Sequence, residues 1–244
     1  MAARATIVLL HGFTQTGRSW DPVVAASAER YRALAPDLRG HGAASARRPV
    51  DFASIEADVL ALAPPRFTLA GYSMGGRIAL DLALRGDGTG AAQERIERLV
   101  LIGASPGLED PTERAARRAA DDALAHEIER DGVEPFARRW AAQPLFAGQP
   151  PVVAAAAHAE RLRSTPDGLA ASLRGVGTGA MEPLWDDLPA LRVPVALIAG
   201  ERDAKFRAIA ERMAERIPHA ELHVVSGAGH AVQLERPEVV AALL

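Results

Sequence analysis

A chain of 244 residues can bury one substantial core, and α/β folds of this size form single domains. A formal net charge of -3 excludes a general affinity for nucleic acid or anionic membranes, and the absence of cysteine excludes a disulfide framework and any thiolate metal site. No apolar run approaches the roughly 20 residues of a membrane span, and the first residues enter a strand with no signal-peptide layout, so a cytoplasmic setting is expected.

Short apolar runs alternate with helical patterns along the chain. Residues 5–10 (ATIVLL) read as a buried strand that ends in Leu10-His-Gly-Phe13, and residues 31–35 read as a second strand. That strand ends in the tight turn Asp37-Leu-Arg-Gly-His-Gly42, where Asp37 and His41 are expected to fix the loop. Residues 52–62 carry apolar side chains at helical spacing; 67–71 form a strand, 75–84 a helix and 99–103 a strand. From 105 to 188 the rhythm breaks into several predicted helices with scattered prolines and no convincing strand. Strand-helix alternation resumes with 195–199, 206–216 and 221–225. The pattern implies a mostly parallel central sheet with helices on both faces, functional residues lying beyond the carboxyl ends of the strands. Residues 1–104 and 189–244 would form this core, and 105–188 a helical lid inserted into the same domain.

Gly71-Tyr-Ser-Met-Gly75 matches G-x-S-x-G between a strand and a helix. The glycines allow a strained turn that lifts the Ser73 hydroxyl above the sheet edge. Serine needs a histidine, itself oriented by a carboxylate, to act as base or nucleophile. Ala199-Gly-Glu-Arg-Asp203 supplies Asp203 at a strand exit, with Glu201 as the competing acid, and Ser226-Gly-Ala-Gly-His230 supplies the imidazole. His126, His158, His219 and His223 fit surface or packing roles better, and His11 a structural one. An oxyanion site needs backbone N–H groups, and Met74 and Phe13 are the expected donors. Together these motifs resemble the α/β-hydrolase fold over nearly the whole chain, in the order serine, acid, histidine.

Arg77 follows Ser73 by one helical turn, a position that ester hydrolysis does not call for. A closer resemblance accounts for it. Gly71-Tyr-Ser-Met-Gly-Gly-Arg77, Ser105-Pro-Gly-Leu108 with Glu113, Arg114 and Arg117, Trp140 with Gln143-Pro-Leu-Phe146, Leu162-Arg-Ser164 and Gly200-Glu-Arg-Asp-Ala-Lys-Phe-Arg207 stand in order. They resemble the 2-succinyl-6-hydroxy-2,4-cyclohexadiene-1-carboxylate synthases of menaquinone biosynthesis. The resemblance implies a lyase that eliminates pyruvate from an enolpyruvyl cyclohexene, with no cofactor and no metal. Ser73 would be the base, His230 would relay the proton, and Asp203 would hold the imidazole. The small-molecule substrate carries three carboxylates; Arg77, Arg117 and Arg163 match positions expected to hold them, and Tyr72 and Trp140 positions expected to line the pocket. All but one of the 28 basic residues are arginine, so an arginine at any one position carries little weight by itself. A carboxylesterase or carbon-carbon bond hydrolase with a serine nucleophile would share the triad, and a binding protein would share the fold without needing it. Turnover of neutral nitrophenyl esters and the effect of Ser73→Ala separate these readings.

Overall fold

The computed structural model describes residues 4–86, 88 and 90–244. Six strands, β1 (Ala5–Leu10), β2 (Tyr31–Leu34), β3 (Phe67–Tyr72), β4 (Ile96–Ile102), β5 (Val195–Gly200) and β6 (Ala220–Val225), make one sheet in the order β2-β1-β3-β4-β5-β6. Every pairing is parallel. Parallel neighbours need crossover connections, which helices supply: α1 (Asp21–Ser27), α2 (Phe52–Leu62), α3 (Met74–Leu84), α4 (Ala91–Arg95), then α5 (Pro111–Asp131), α6 (Val133–Ala141), α7 (Pro151–Arg161) and α8 (Pro166–Val176), and last α9 (Ala204–Ala214), α10 (Val232–Glu235) and α11 (Pro237–Leu243). Among the described residues no helix is long and apolar enough to cross a membrane.

Side chains alternate across a strand, and here both faces are covered, so the strands read as continuous apolar runs. Val8, Leu10, Leu69, Leu99, Leu101 and Leu197 face one layer, packed against Ile55, Ile78, Leu82 and Met213 of α2, α3 and α9. Ile7, Leu9, Ala70, Val100, Ile102 and Ile198 face the other, against Trp20, Val23, Val240 and Leu244. The edge strands β2 and β6 are half-exposed, whereas β3 and β5 are buried throughout. The sheet order reverses direction between β1 and β3, the switch point at which open parallel sheets leave a crevice for a ligand.

Two elements start two or more residues before the sequence pattern, for local reasons. β4 begins at Ile96, because its ladder with β3 runs through the polar pair Glu97-Arg98 that interrupts the apolar run. α9 begins at Ala204, two residues early, because the Asp203 carboxylate accepts from the Phe206 N–H and starts the helix before its apolar stripe does.

Between β4 and β5 the chain forms α5 to α8 and no strand among the described residues. Asp110 caps α5 by accepting from the Thr112 N–H at 2.6 Å, and Pro111 fits the first turn, where no amide partner is needed. α5, α6 and α8 share a separate small core of Ala125, Ile128, Phe136, Leu169, Ala170 and Leu173, against which Phe13 from the β1 loop packs.

Candidate active site

β3 passes directly into α3 at Ser73, whose φ of 51° and ψ of -108° are costly for a residue with a side chain, about 1–3 kcal/mol. A Cβ on Gly71 would run into the Gly75 carbonyl, and one on Gly75 into the Leu10 carbonyl, so the two motif glycines are sterically required. The Ser73 N–H donates to the Ile102 carbonyl at 2.8 Å, and the Arg77 N–H to the Ser73 carbonyl at 3.0 Å, fixing the turn. The hydroxyl caps nothing and is directed at His230.

His230 sits on the loop after β6 and is 2% exposed. Its Nε2 lies 3.2 Å from Ser73 Oγ and its Nδ1 2.6 Å from Asp203 Oδ2. With Nδ1–H donating to the carboxylate, Nε2 is left to accept from the hydroxyl. The ring is held by Phe206 at 4.5 Å and Tyr72 at 5.2 Å between centroids. Asp203 uses its other oxygen as the α9 cap. Glu201, the competing acid, is exposed and accepts from Ser226 Oγ at 3.1 Å and the Gly227 N–H at 2.8 Å, so it braces the histidine loop and does not reach the ring. Glu235 braces the loop from below by accepting from the Gly229 N–H at 2.9 Å.

Asp37 ties its loop together, whereas His41 meets it only through Nδ1, 3.3 Å from the Arg39 carbonyl, its Nε2 buried without a partner among the described residues. Asp37 accepts from the Gly17 and Ala43 N–H groups, each at 2.8 Å. His11 is fully buried, bound at Nδ1 to the Gly12 carbonyl and accepting at Nε2 from the Leu38 N–H. Burial holds its pKa down at about 4, and burial pushes that of His41 well below the ordinary value. Both imidazoles are therefore neutral in the folded protein at neutral pH.

A cavity of about 750 Å³ opens above Ser73 between the strand ends and the helical segment. Phe13, Trp140, Leu145, Val176, Phe206 and Ile209 give it an apolar wall; Arg77, Arg117, Arg202 and Lys205 give it charge. Phe13 and Met74 both line this wall, and their N–H groups donate to no acceptor among the described residues.

Of the five substrate-binding expectations, the structure brings Arg77, Arg117 and Trp140 to the cavity. Arg77 is 8% exposed and donates to the Val176 carbonyl at the C-terminal end of α8, 2.8 Å away. Burial, and after it the nearby Arg117 charge, pulls the Arg77 guanidinium down to about 10. Arg117 pairs with Asp121 at 2.8 Å. Arg163 is not at the cavity: α7 ends at Arg161, and two residues later the side chain is exposed, 3.8 Å from Glu160. The helix phase turns Arg161 inward instead, 4% exposed, its guanidinium 5.3 Å from the Phe146 ring centroid and its Nε without a partner. Tyr72 is also absent from the cavity wall; it is buried beneath His230, and burial, with the Asp203 charge next in weight, pushes its phenol up. The cavity residues Arg202 and Lys205 were visible in the 200–207 motif without a role. Arg161 had no signal that separated it from the other arginines.

A serine-histidine-aspartate relay at the switch point of a parallel sheet defines the class, and the chain belongs to the alpha/beta hydrolase family, whose model matches residues 7–243. Within that family it falls among the 2-succinyl-6-hydroxy-2,4-cyclohexadiene-1-carboxylate synthases. It is 34% identical to the synthase of Klebsiella pneumoniae subsp. pneumoniae over 98% of this chain and 91% of that one. It is 37% identical to the Bacillus subtilis counterpart over 97% of this chain and 88% of the relative. The structure of MenH from S. aureus superposes with a TM-score of 0.92 at 31% identity, covering 100% of this chain and 92% of that one. A thermophilic esterase from Thermogutta terrifontis gives a TM-score of 0.82 at 25% identity, covering 100% of this chain and 89% of that one.

Proposed function

We propose that this enzyme eliminates pyruvate from 2-succinyl-5-enolpyruvyl-6-hydroxy-3-cyclohexene-1-carboxylate, leaving 2-succinyl-6-hydroxy-2,4-cyclohexadiene-1-carboxylate, in menaquinone biosynthesis. The observation that carries the reading is Arg77, a buried cation with no carboxylate partner at the wall of the cavity that holds Ser73. A neutral ester gives such a group nothing to bind, whereas a substrate with three carboxylates supplies its missing partner.

The chemistry follows from the relay. The hydrogen on ring carbon 2 is acidic because it adjoins the succinyl carbonyl. Ser73 Oγ takes that proton as its own passes to His230 Nε2, and Asp203 holds the imidazolium that results. The electron pair of the broken C–H bond forms the 2,3 double bond, the old 3,4 pair moves to 4,5, and the carbon–oxygen bond at carbon 5 breaks. The leaving enolpyruvate takes up a proton to become pyruvate, so no water is consumed and no acyl-enzyme forms. Charge developing on the succinyl oxygen is met by the free Phe13 and Met74 N–H groups. Arg77 holds a carboxylate beside the reacting carbon, and Arg117, partly engaged by Asp121, adds positive potential. The segment 105–188 acts as a lid that keeps water from the carbanion. A small polyanionic substrate, which does not cross a bilayer unaided, supports a cytoplasmic setting for the reaction.

The test is direct: purified protein is supplied with the enolpyruvyl ether, and pyruvate is followed by a coupled dehydrogenase. Release by the wild type that is lost in Ser73→Ala supports the elimination. Brisk hydrolysis of p-nitrophenyl acetate without pyruvate release would instead establish a hydrolase.

A further inference from the structure

Four cationic side chains face the cavity, and two of them are already neutralised. Arg117 pairs with Asp121, and Arg202 donates to Glu235 at 2.8 Å and to the Gly148 carbonyl at 2.9 Å. Arg77 touches only a carbonyl. Lys205 has no hydrogen bond and no ion pair among the described residues; its ammonium lies 5.8 Å from the centre of the Phe206 ring, which packs on His230. It is also the sole lysine among 28 basic residues, in a chain that uses arginine everywhere else. A mobile point charge with three rotatable donors can follow a flexible carboxylate, which a planar fork cannot do as freely.

The two unneutralised cations enter the cavity wall from different elements. Arg77 leaves the helix that follows β3 and Lys205 the helix that follows β5, with β4 between them. Two ladder spacings set those strands about 10 Å apart, and His230, from the loop after β6, meets Ser73 at the β3 end.

We propose that Lys205 is a specificity-determining residue, binding a second carboxylate of the same substrate on the opposite side of the reacting carbon from the one held by Arg77. The site then selects molecules carrying two well-separated carboxylates over monoacids and neutral esters. This rests on the elimination reading for the identity of the substrate, and on the charge arrangement alone for the polycarboxylate class.

The experiment pairs turnover with binding. Lys205→Gln is expected to raise KM for the enolpyruvyl substrate by about tenfold, as loss of one exposed charge-assisted contact would. Its kcat should stay within about threefold, because the contact is present before and during the reaction. Lys205→Arg restores most of the loss, and the difference between wild type and Lys205→Gln shrinks as salt is added. In parallel, propane-1,2,3-tricarboxylate is titrated calorimetrically into both proteins, with about tenfold weaker binding expected for Lys205→Gln. Equal tricarboxylate affinity in the two proteins, or an unchanged KM for Lys205→Gln where the wild type does release pyruvate, overturns the proposal. A wild type that releases no pyruvate overturns the elimination instead, and the calorimetry still decides the role of Lys205.

Discussion

Replacing Arg77 by methionine separates a substrate anchor from a structural tie, because the two roles move stability and activity in opposite directions. The folded-state pKa of about 10 lies below the ordinary 12.5. The penalty for holding the charge therefore builds as pH falls from 12.5 through 10 and is complete at neutral pH, at about 3 kcal/mol. Methionine keeps most of the volume and removes that penalty, but it loses the hydrogen bond to the Val176 carbonyl, a contribution of about 2 kcal/mol for a charged donor. The balance is a gain of about 1 kcal/mol, which for a chain of this size raises Tm by about 2–4 °C. Activity goes the other way: losing a charge-assisted carboxylate contact of about 1.5–3 kcal/mol lowers kcat/KM by roughly 10- to 150-fold. Scanning calorimetry of the ligand-free protein and the pyruvate-release assay measure the two quantities. An Arg77→Met protein that melts several degrees lower yet keeps kcat/KM within threefold would show that the guanidinium serves only to hold α8, and the assignment of a substrate anchor would fail.

The remaining expectations are briefer. Asp203→Asn should lower kcat by about 10⁴-fold by favouring the wrong imidazole tautomer, whereas Glu201→Gln, which touches only the loop, should cost no more than a few-fold; comparable losses in both would refute the assignment of the acid. Gly103 has φ +53°, and a Cβ there would lie 2.9 Å from His230 Cε1, so Gly103→Ala should displace the ring and lower kcat by about 100-fold, visible in single-turnover kinetics. Buried Glu56 has its carboxyl pushed up from 4.5, first by burial and then by Asp81. The folded protein thus keeps a proton that the unfolded chain releases above about pH 4.5, and stability falls as pH rises from there, by at most about 1.4 kcal/mol per unit. Urea unfolding from pH 5 to 8 should show this slope flattened in Glu56→Gln.

The strands, the strained turn at Ser73 and the order of Ser73, Asp203 and His230 were legible in the residues because each is a local property. Doubly covered parallel strands must be apolar on both sides, as in residues 5–10 and 195–199, and a turn as tight as that at Ser73 excludes side chains at Gly71 and Gly75. Local signals ended where two residues of one kind stood close together. Asp203 and Glu201 share a strand exit, and only the packed loop shows that one carboxylate meets the imidazole while the other meets the backbone of 226–227. Arg161 and Arg163 share a helix end, and only the last turn of α7 determines which guanidinium is turned inward. Which cavity cations remain unneutralised depends on partners far away in the chain, such as the 33 residues separating Arg202 from Glu235. The amino-acid order by itself fixed the scaffold and its reacting groups, because backbone geometry and apolar periodicity are written residue by residue; the charge available to a substrate was decided only by tertiary structure, because neutralisation requires two side chains brought together by the fold.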